Sequence, residues 1–179
     1  MSKEKFDQTA WHMAAGSGHV EVLEKLWNWA KELQLKPEEL RNELLLSKDG
    51  SKETAWQKAA GRAKVAILEK LWEWAKELQL KPEELRNELL LSKDESKLTA
   101  WQKAAVKGHV KLLEKVWDWA KELQLKPEEL RNELLLSKDE FNKTAWQKAA
   151  GRGEVEILEK LWDWAKELQL KPEELRNEL

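Results

Sequence analysis

The sequence predicts an all-α helical solenoid of four stacked repeats, each with three helices and joined to the next by a projecting turn. Three observations predict it. Thr9, Thr54, Thr99 and Thr144 head segments that recur every 45 residues, and residues 54–89 return almost unchanged at 99–134 and 144–179. Apolar residues inside a repeat fall at the three and four spacing of a helix. The same start and stop residues stand at the same places in each copy. A unit this small cannot bury its own apolar face, so neighbours must stack. The chain therefore reads as one repeat domain, 1–179, divided into repeats 9–53, 54–98, 99–143 and 144–179 behind a leader turn at 1–8.

The first helix of the second repeat opens at Thr54. Its hydroxyl can accept from the amide of Gln57 while the Gln side chain reaches back, the spacing of a capping box. The pair recurs as Thr99 with Gln102 and Thr144 with Gln147, while the first repeat carries His12 in place of Gln. Trp56, Ala59 and Ala60 form its apolar side, and the small alanines allow close approach of a neighbouring helix. A glycine at Gly18, Gly108 and Gly153 ends the helix, where a left-handed residue satisfies the last carbonyls. Ala63 replaces that glycine in the second repeat, and a Cβ in a left-handed conformation costs roughly 1 kcal/mol.

A second helix starts at Val65. Val65, Ile67, Leu68, Leu71, Trp72, Trp74, Ala75 and Leu78 fill two adjoining stripes, wide enough for neighbours on more than one side. Trp72 and Trp74 project about 200° apart and are expected to meet different packing partners. Lys81 and Pro82 then interrupt the pattern, and Pro82 suits the first position of a new helix whose dipole favours Glu83 and Glu84. This short third helix runs through Leu85 and the cluster Leu89, Leu90 and Leu91, and ends at Ser92 to Asp94. The polar stretch Asp94 to Leu98 precedes the next threonine cap and reads as a projecting turn.

Composition narrows the function classes. Lys and Arg number 32 against 34 Asp and Glu, a net charge of -2 that singles out neither nucleic acid nor a membrane surface as partner. The absence of cysteine excludes disulfides and thiolate metal sites. The segment from Met1 to Gln8 lacks an apolar stretch of signal length, and no run approaches the roughly 20 apolar residues of a membrane span. A chain without signal peptide, suited to cytoplasmic recombinant expression, is the expectation.

The stretches TAWHMAAGSGHVEVLEKL (residues 9–26) and TAWQKAAVKGHVKLLEKV (residues 99–116) resemble the ankyrin repeat, whose first helix opens T-P-L-H-x-A-A and whose second follows G-H. Ankyrin units are near 33 residues, so this chain resembles a long form with a third helix inserted before the turn. Ala10, Ala55, Ala100 and Ala145 stand where the family has Pro, Trp stands for Leu, and Gln replaces His in three repeats. The resemblance implies that the turns are finger tips and that the first helices line a concave binding face. Differences between repeats concentrate there: FDQ at 6–8, SKE at 51–53, SKL at 96–98 and FNK at 141–143 in the turns, and GSGHVE, GRAKVA, VKGHVK and GRGEVE after the first helices. Variation confined to tips and first helix on a fixed frame is the pattern of engineered ankyrin binders.

The expected contact residues are therefore Phe6, Ser51, Lys52, Glu53, Ser96, Lys97, Leu98, Phe141, Asn142 and Lys143. Behind them stand Lys58 with Arg62, Lys103 with Lys107 and Lys148 with Arg152, each pair four apart on one helix face. Stacked, these cations would form a basic ladder able to meet an acidic patch on a protein partner. Phe6 and Phe141 stand alone in turns, where an aromatic can anchor a contact. The twelve tryptophans occupy three equivalent positions per repeat inside apolar stripes and are expected in the core, with indole N–H groups in need of acceptors.

Nothing in the chain points to catalysis, a metal or a cofactor. His12, His19 and His109 are replaced by Gln, Lys or Glu in other repeats, and the paired glutamates such as Glu38 and Glu39 are ordinary first-turn residues. The function expected is a binding module for a protein, built on an engineered frame. The competing reading is a consensus array with no selected target. It rests on the identity of Ala30 to Leu44 with Ala75 to Leu89, Ala120 to Leu134 and Ala165 to Leu179. Repeats with polar outer faces are missing from both ends, which points to end-to-end self-association as a further interaction.

Overall fold

The structure, a computed structural model, describes residues 8–178. It divides into two compact units, Met1–Ser96 and Lys97–Leu179. The first contains α1 (Ala10–Ser17), α2 (Val20–Glu32), α3 (Pro37–Glu39) running into a π-helix π1 (Leu40–Leu45), then α4 (Ala55–Gly61), α5 (Val65–Glu77), α6 (Pro82–Glu84) and π2 (Leu85–Leu90). The second contains α7 (Ala100–Val106), α8 (Val110–Glu122), α9 (Pro127–Leu130), π3 (Arg131–Leu135), α10 (Ala145–Arg152), α11 (Val155–Glu167) and α12 (Pro172–Leu175). No strand occurs among the described residues. In the first unit α1 lies on α4 and α2 on α5, and in the second α7 lies on α10 and α8 on α11. Each unit is thus a pair of repeats packed side by side, and the architecture is all-α and repetitive.

The threonine caps form as their spacing predicts. Thr54 Oγ1 accepts from the Gln57 amide at 3.3 Å while Gln57 Oε1 accepts from the Thr54 amide at 2.9 Å, and Thr99 with Gln102 and Thr144 with Gln147 do the same. Helices α1 and α10 end on left-handed glycines, Gly18 at φ 82° and Gly153 at φ 72°. Ala63 takes the same conformation at φ 51°, so the second repeat carries the strain that the missing glycine implies.

The second helix ends by a device that its residues do not advertise. Gln34, Gln79, Gln124 and Gln169 are left-handed, with φ between 54° and 60°. In the first repeat Gln34 N donates to Lys31 O at 2.9 Å and Leu35 N to Ala30 O at 3.3 Å, the two bonds of a Schellman motif. The chain then reverses into the third helix, where Glu39 Oε2 accepts from the Lys36 amide at 2.7 Å. That helix was expected to be α throughout, but it winds as a π-helix after one turn, with Leu46 N donating to Arg41 O, Leu91 N to Arg86 O and Leu136 N to Arg131 O, each at 2.8 Å. The wider turn lets a run of leucines share one face: Leu85, Leu89 and Leu90 are all buried.

Tryptophan holds neighbouring repeats together. Trp74 leaves its own repeat and stacks on Trp27 of the preceding one, ring centroids 4.6 Å apart and planes 10° apart, with Trp11 at 5.6 Å. In the second unit Trp164 stacks on Trp117 at 4.7 Å and 15°, with Trp101 at 5.4 Å. Meanwhile Trp72 turns the other way, onto Trp56 of its own repeat at 6.0 Å. The opposed projection of the two rings thus joins one repeat to itself and to its neighbour. Not every tryptophan enters the core, however. Trp29 is 55% and Trp162 42% exposed. The expected acceptors for buried indoles are also missing: Nε1 of Trp11, Trp27, Trp101, Trp117 and Trp146 has no hydrogen-bond partner.

Two outcomes check this account. Ala63→Gly should stabilise the chain by roughly 1 kcal/mol, because glycine adopts the left-handed conformation without cost; a lower melting temperature for the variant would contradict it. Trp74→Ala should cost about 3–5 kcal/mol in urea unfolding, and a loss below about 1 kcal/mol would show that the stack does not hold the repeats together.

Candidate protein-contact surface

Two turns, those after Asp49 and Asp139, are built around a buried carboxylate. Asp49 Oδ1 accepts from the Ser51 amide at 2.9 Å and the Glu53 amide at 3.0 Å, while its own amide donates to Glu53 O at 3.0 Å. Its Oδ2 faces Lys58 Nζ at 2.7 Å, and Glu53 lies 3.6 Å from the same ammonium. Asp139 repeats the arrangement, accepting from the Phe141 and Lys143 amides at 2.9 and 2.8 Å and pairing with Lys148 at 2.5 Å. Both aspartates are buried. Burial pushes the Asp49 carboxyl up, but the Lys58 hydrogen bond, the Glu53 amide, the Lys58 charge and the Ser51 amide outweigh it and hold the group below the usual carboxylate value. For Asp139 burial is likewise overcome by Lys148 and the Lys143 and Phe141 amides.

The tips rise from this base. Lys52, Lys97 and Asn142 are left-handed at φ 57°, 56° and 58°, which turns the chain back toward the next threonine. Lys52, Ser96, Lys97, Asn142 and Lys143 are exposed, whereas Ser51, Glu53 and Leu98 are half-buried. Phe141 is 73% exposed. Lys97 Nζ reaches Glu140 at 3.5 Å. Phe6 lies outside the described residues.

The cations read as a ladder have other employment. Lys58 and Lys148 are half-buried beneath the turns in the ion pairs just described, and Lys103 is buried. Arg62 Nη1 donates to Gly16 O of the preceding repeat at 3.2 Å. Lys107 and Arg152 are exposed. Spacing alone places such pairs on one helix face, but it cannot show that a carboxylate nine residues upstream, Asp49 for Lys58 and Asp139 for Lys148, comes to meet the ammonium. The aspartate was the missed residue, and its recurrence ahead of each turn, at Asp49, Asp94 and Asp139, was the available signal.

The first helix is tied to the frame as well. Gln57 Nε2 donates to Lys93 O at 2.6 Å, so the cap residue also fixes the segment that leaves π2. His12 substitutes for it in the first repeat. Its Nε2 lies 3.0 Å from Ser47 O, an acceptor only, so that nitrogen carries a proton, and Nδ1 lies 2.8 Å from the Thr9 hydroxyl. The first helix has no side-chain cap, so His12 does not reproduce the capping box that its position suggested and instead ties Thr9 to Ser47.

Among the described residues no group of His, Cys, Asp and Glu could hold a metal ion, and no helix is long and apolar enough to cross a membrane. The family model for UBM, the ubiquitin binding region, matches at residues 34–52, 79–99 and 124–140, together about a third of the chain. No curated protein matches the chain. The three matches occupy equivalent places in the first three repeats. Each begins at a left-handed glutamine, Gln34, Gln79 or Gln124, spans the third helix and reaches the turn. Within them Leu40, Leu45, Leu85, Leu89, Leu90, Leu130, Leu134 and Leu135 are buried. Exposed residues include Lys36 to Glu38 and the equivalents Lys81 to Glu83 and Lys126 to Glu128.

The anchored turn has a pH signature. Because the folded-state pKa of Asp49 and Asp139 is depressed, their contribution is present above the unfolded carboxylate value of about 4 and is lost as pH falls through the lower folded value. Asp139→Asn should lower the melting temperature at neutral pH, at a cost of about 1–3 kcal/mol, and flatten the acid-side loss. A variant melting like the parent across that range would show that the carboxylate does not hold the turn.

Proposed function

We propose that this chain is a protein-recognition module that meets its partner at the turn tips, with Phe141 as the anchor. The observation that carries this is an aromatic 73% exposed on a turn whose backbone is pinned from below by the Asp139 carboxylate. Exposed large aromatics are the residues that dominate binding free energy once covered, and a turn already fixed loses little further freedom on binding. The similarity of three segments to a ubiquitin binding region supports a protein as partner, and ubiquitin is the first to test. Two matches run into the tips, through Lys52 and through Ser96 to Leu98, and the third stops at Glu140 beside Phe141. Since most leucines of the third helices in these segments are buried or half-buried, the partner would touch the Lys-Pro-Glu edge and the tips instead.

Differences at 51–53, 96–98 and 141–143 on an otherwise repeated frame support contact positions chosen for a target, on an ankyrin-like and engineered scaffold. The acidic-patch version of the partner has less support, since Lys58, Lys148 and Arg62 are engaged within the chain. That engagement favours a second reading, an array built for stability with no selected target.

Titrating isotope-labelled ubiquitin with the chain separates these readings. Saturable chemical-shift changes are expected, and Phe141→Ser should weaken binding by about tenfold or more while leaving the melting temperature near the parent value. Unchanged affinity in the variant would remove the tip from the surface. Absence of any shift change would remove ubiquitin as the partner.

A further inference from the structure

The two joints inside the compact units are the same joint. Between the first and second repeats Trp74 seats on Trp27 and Trp11, framed by Lys31 with Glu77 at 2.5 Å, Glu24 with Lys70 at 3.0 Å and Arg41 with Glu84 at 2.7 Å. Between the third and fourth, Trp164 seats on Trp117 and Trp101, framed by Lys121 with Glu167, Glu114 with Lys160 and Arg131 with Glu174. A receiving face thus offers two tryptophans with Lys, Glu and Arg around them. An inserting face offers one tryptophan with the opposite charges, Glu, Lys and Glu.

The last repeat presents a receiving face to solvent. Trp162, the counterpart of Trp117, lies between two adjoining grooves of about 400 and 350 Å³. The first is lined by Lys166 and Arg176 and the second by Trp146 and Glu159, which are the counterparts of Lys121, Arg131, Trp101 and Glu114. Leu158 and Ala150 gain exposure there, whereas their counterparts Leu113 and Ala105 are fully buried. The first repeat presents an inserting face. Trp29 is the counterpart of Trp74, and Lys25, Glu32 and Glu39 are those of Lys70, Glu77 and Glu84. Val22 is 48% exposed although its counterpart Ile67 is fully buried.

We infer that a second copy of this chain docks head to tail, with Trp29 of one copy seated on Trp146 and Trp162 of the other and Glu32, Lys25 and Glu39 paired with Lys166, Glu159 and Arg176. Apolar area alone would accept many occupants. The three charges select this one, because they reproduce in sign and register the frame satisfied at both internal joints. A receiving face set against another receiving face would oppose Lys166 and Arg176 to their own kind. The contact is heterologous, so after one docking each copy retains a face of the other type, and association continues.

Light scattering on the full chain across a concentration series tests this, with no partner protein present. The mass should climb with concentration. Trp29→Lys removes the inserting face and Trp162→Lys the receiving face, so each variant alone should associate more than about tenfold more weakly. Mixed in equal amounts, they should form a one-to-one dimer and stop there. Lys166→Glu should weaken association, and adding Glu32→Lys to the same chain should restore it, which nonspecific adhesion would not do. Circular dichroism matching the parent shows that a variant is folded; should Trp162→Lys fail this, Lys166→Glu replaces it in the mixture. A parent that is monomeric at every concentration, variants that still self-associate, a mixture that forms no dimer, or a charge swap without rescue would each overturn the proposal.

Discussion

The structure depends on a tryptophan that belongs to one repeat and is covered by the preceding one. A 45-residue segment of three short helices has too little interior to bury rings of this size. Trp74 and Trp164 are buried or half-buried because the preceding repeat supplies two indole faces, stacked within 6 Å. Offset stacking of aromatic rings adds to the free energy of area burial, and the planar contact leaves little room for sliding. The alanines on the first helices serve the same end, since Ala59 and Ala60 leave no side chain to hold the neighbouring helix away.

Polar groups serve the surface in two distinct ways. Around the tryptophan joints, ion pairs such as Lys31 with Glu77 are half-exposed and contribute little to stability individually, but they fix which face meets which. Beneath the turns the pair of Asp49 and Lys58 is shielded from water, and the carboxylate also collects two backbone amides. Such a site orders the loop above it. The tip residues therefore vary in chemistry while their backbone stays the same, as Lys52 and Asn142 show by sharing one left-handed conformation.

Much of this was legible in the sequence because it is local. Thr54 with Gln57, the glycine at Gly18 and the Lys-Pro-Glu-Glu starts act within one helical turn, and each stands where its spacing put it. The opposed directions of Trp72 and Trp74 follow from helix geometry alone. What escaped was tertiary. Lys58 was legible as a cation on a helix face, while its tie to Asp49 depends on how the turn folds back. The left-handed glutamines carry no glycine to announce them, and the π winding of Leu85–Leu90, which accompanies the burial of Leu85, Leu89 and Leu90, has no local signal. Trp29 and Trp162 match their buried counterparts Trp74 and Trp117 in sequence, so the local pattern could not tell the exposed rings from the buried ones.

The likeness of the joints has a kinetic side. While the chain folds, Trp164 fits the indoles of the first repeat as well as those of the third, because the residues that receive it are identical. Correct order then comes from tether length: Trp117 of the third repeat lies 47 residues from Trp164 and Trp27 of the first lies 137. Loop closure separates those choices by only about 0.6 kcal/mol per doubling. Swapped and skipped pairings are the characteristic misfolding route of arrays with interchangeable surfaces. Order in this stack is kept by the shortness of the leash, with almost no help from recognition.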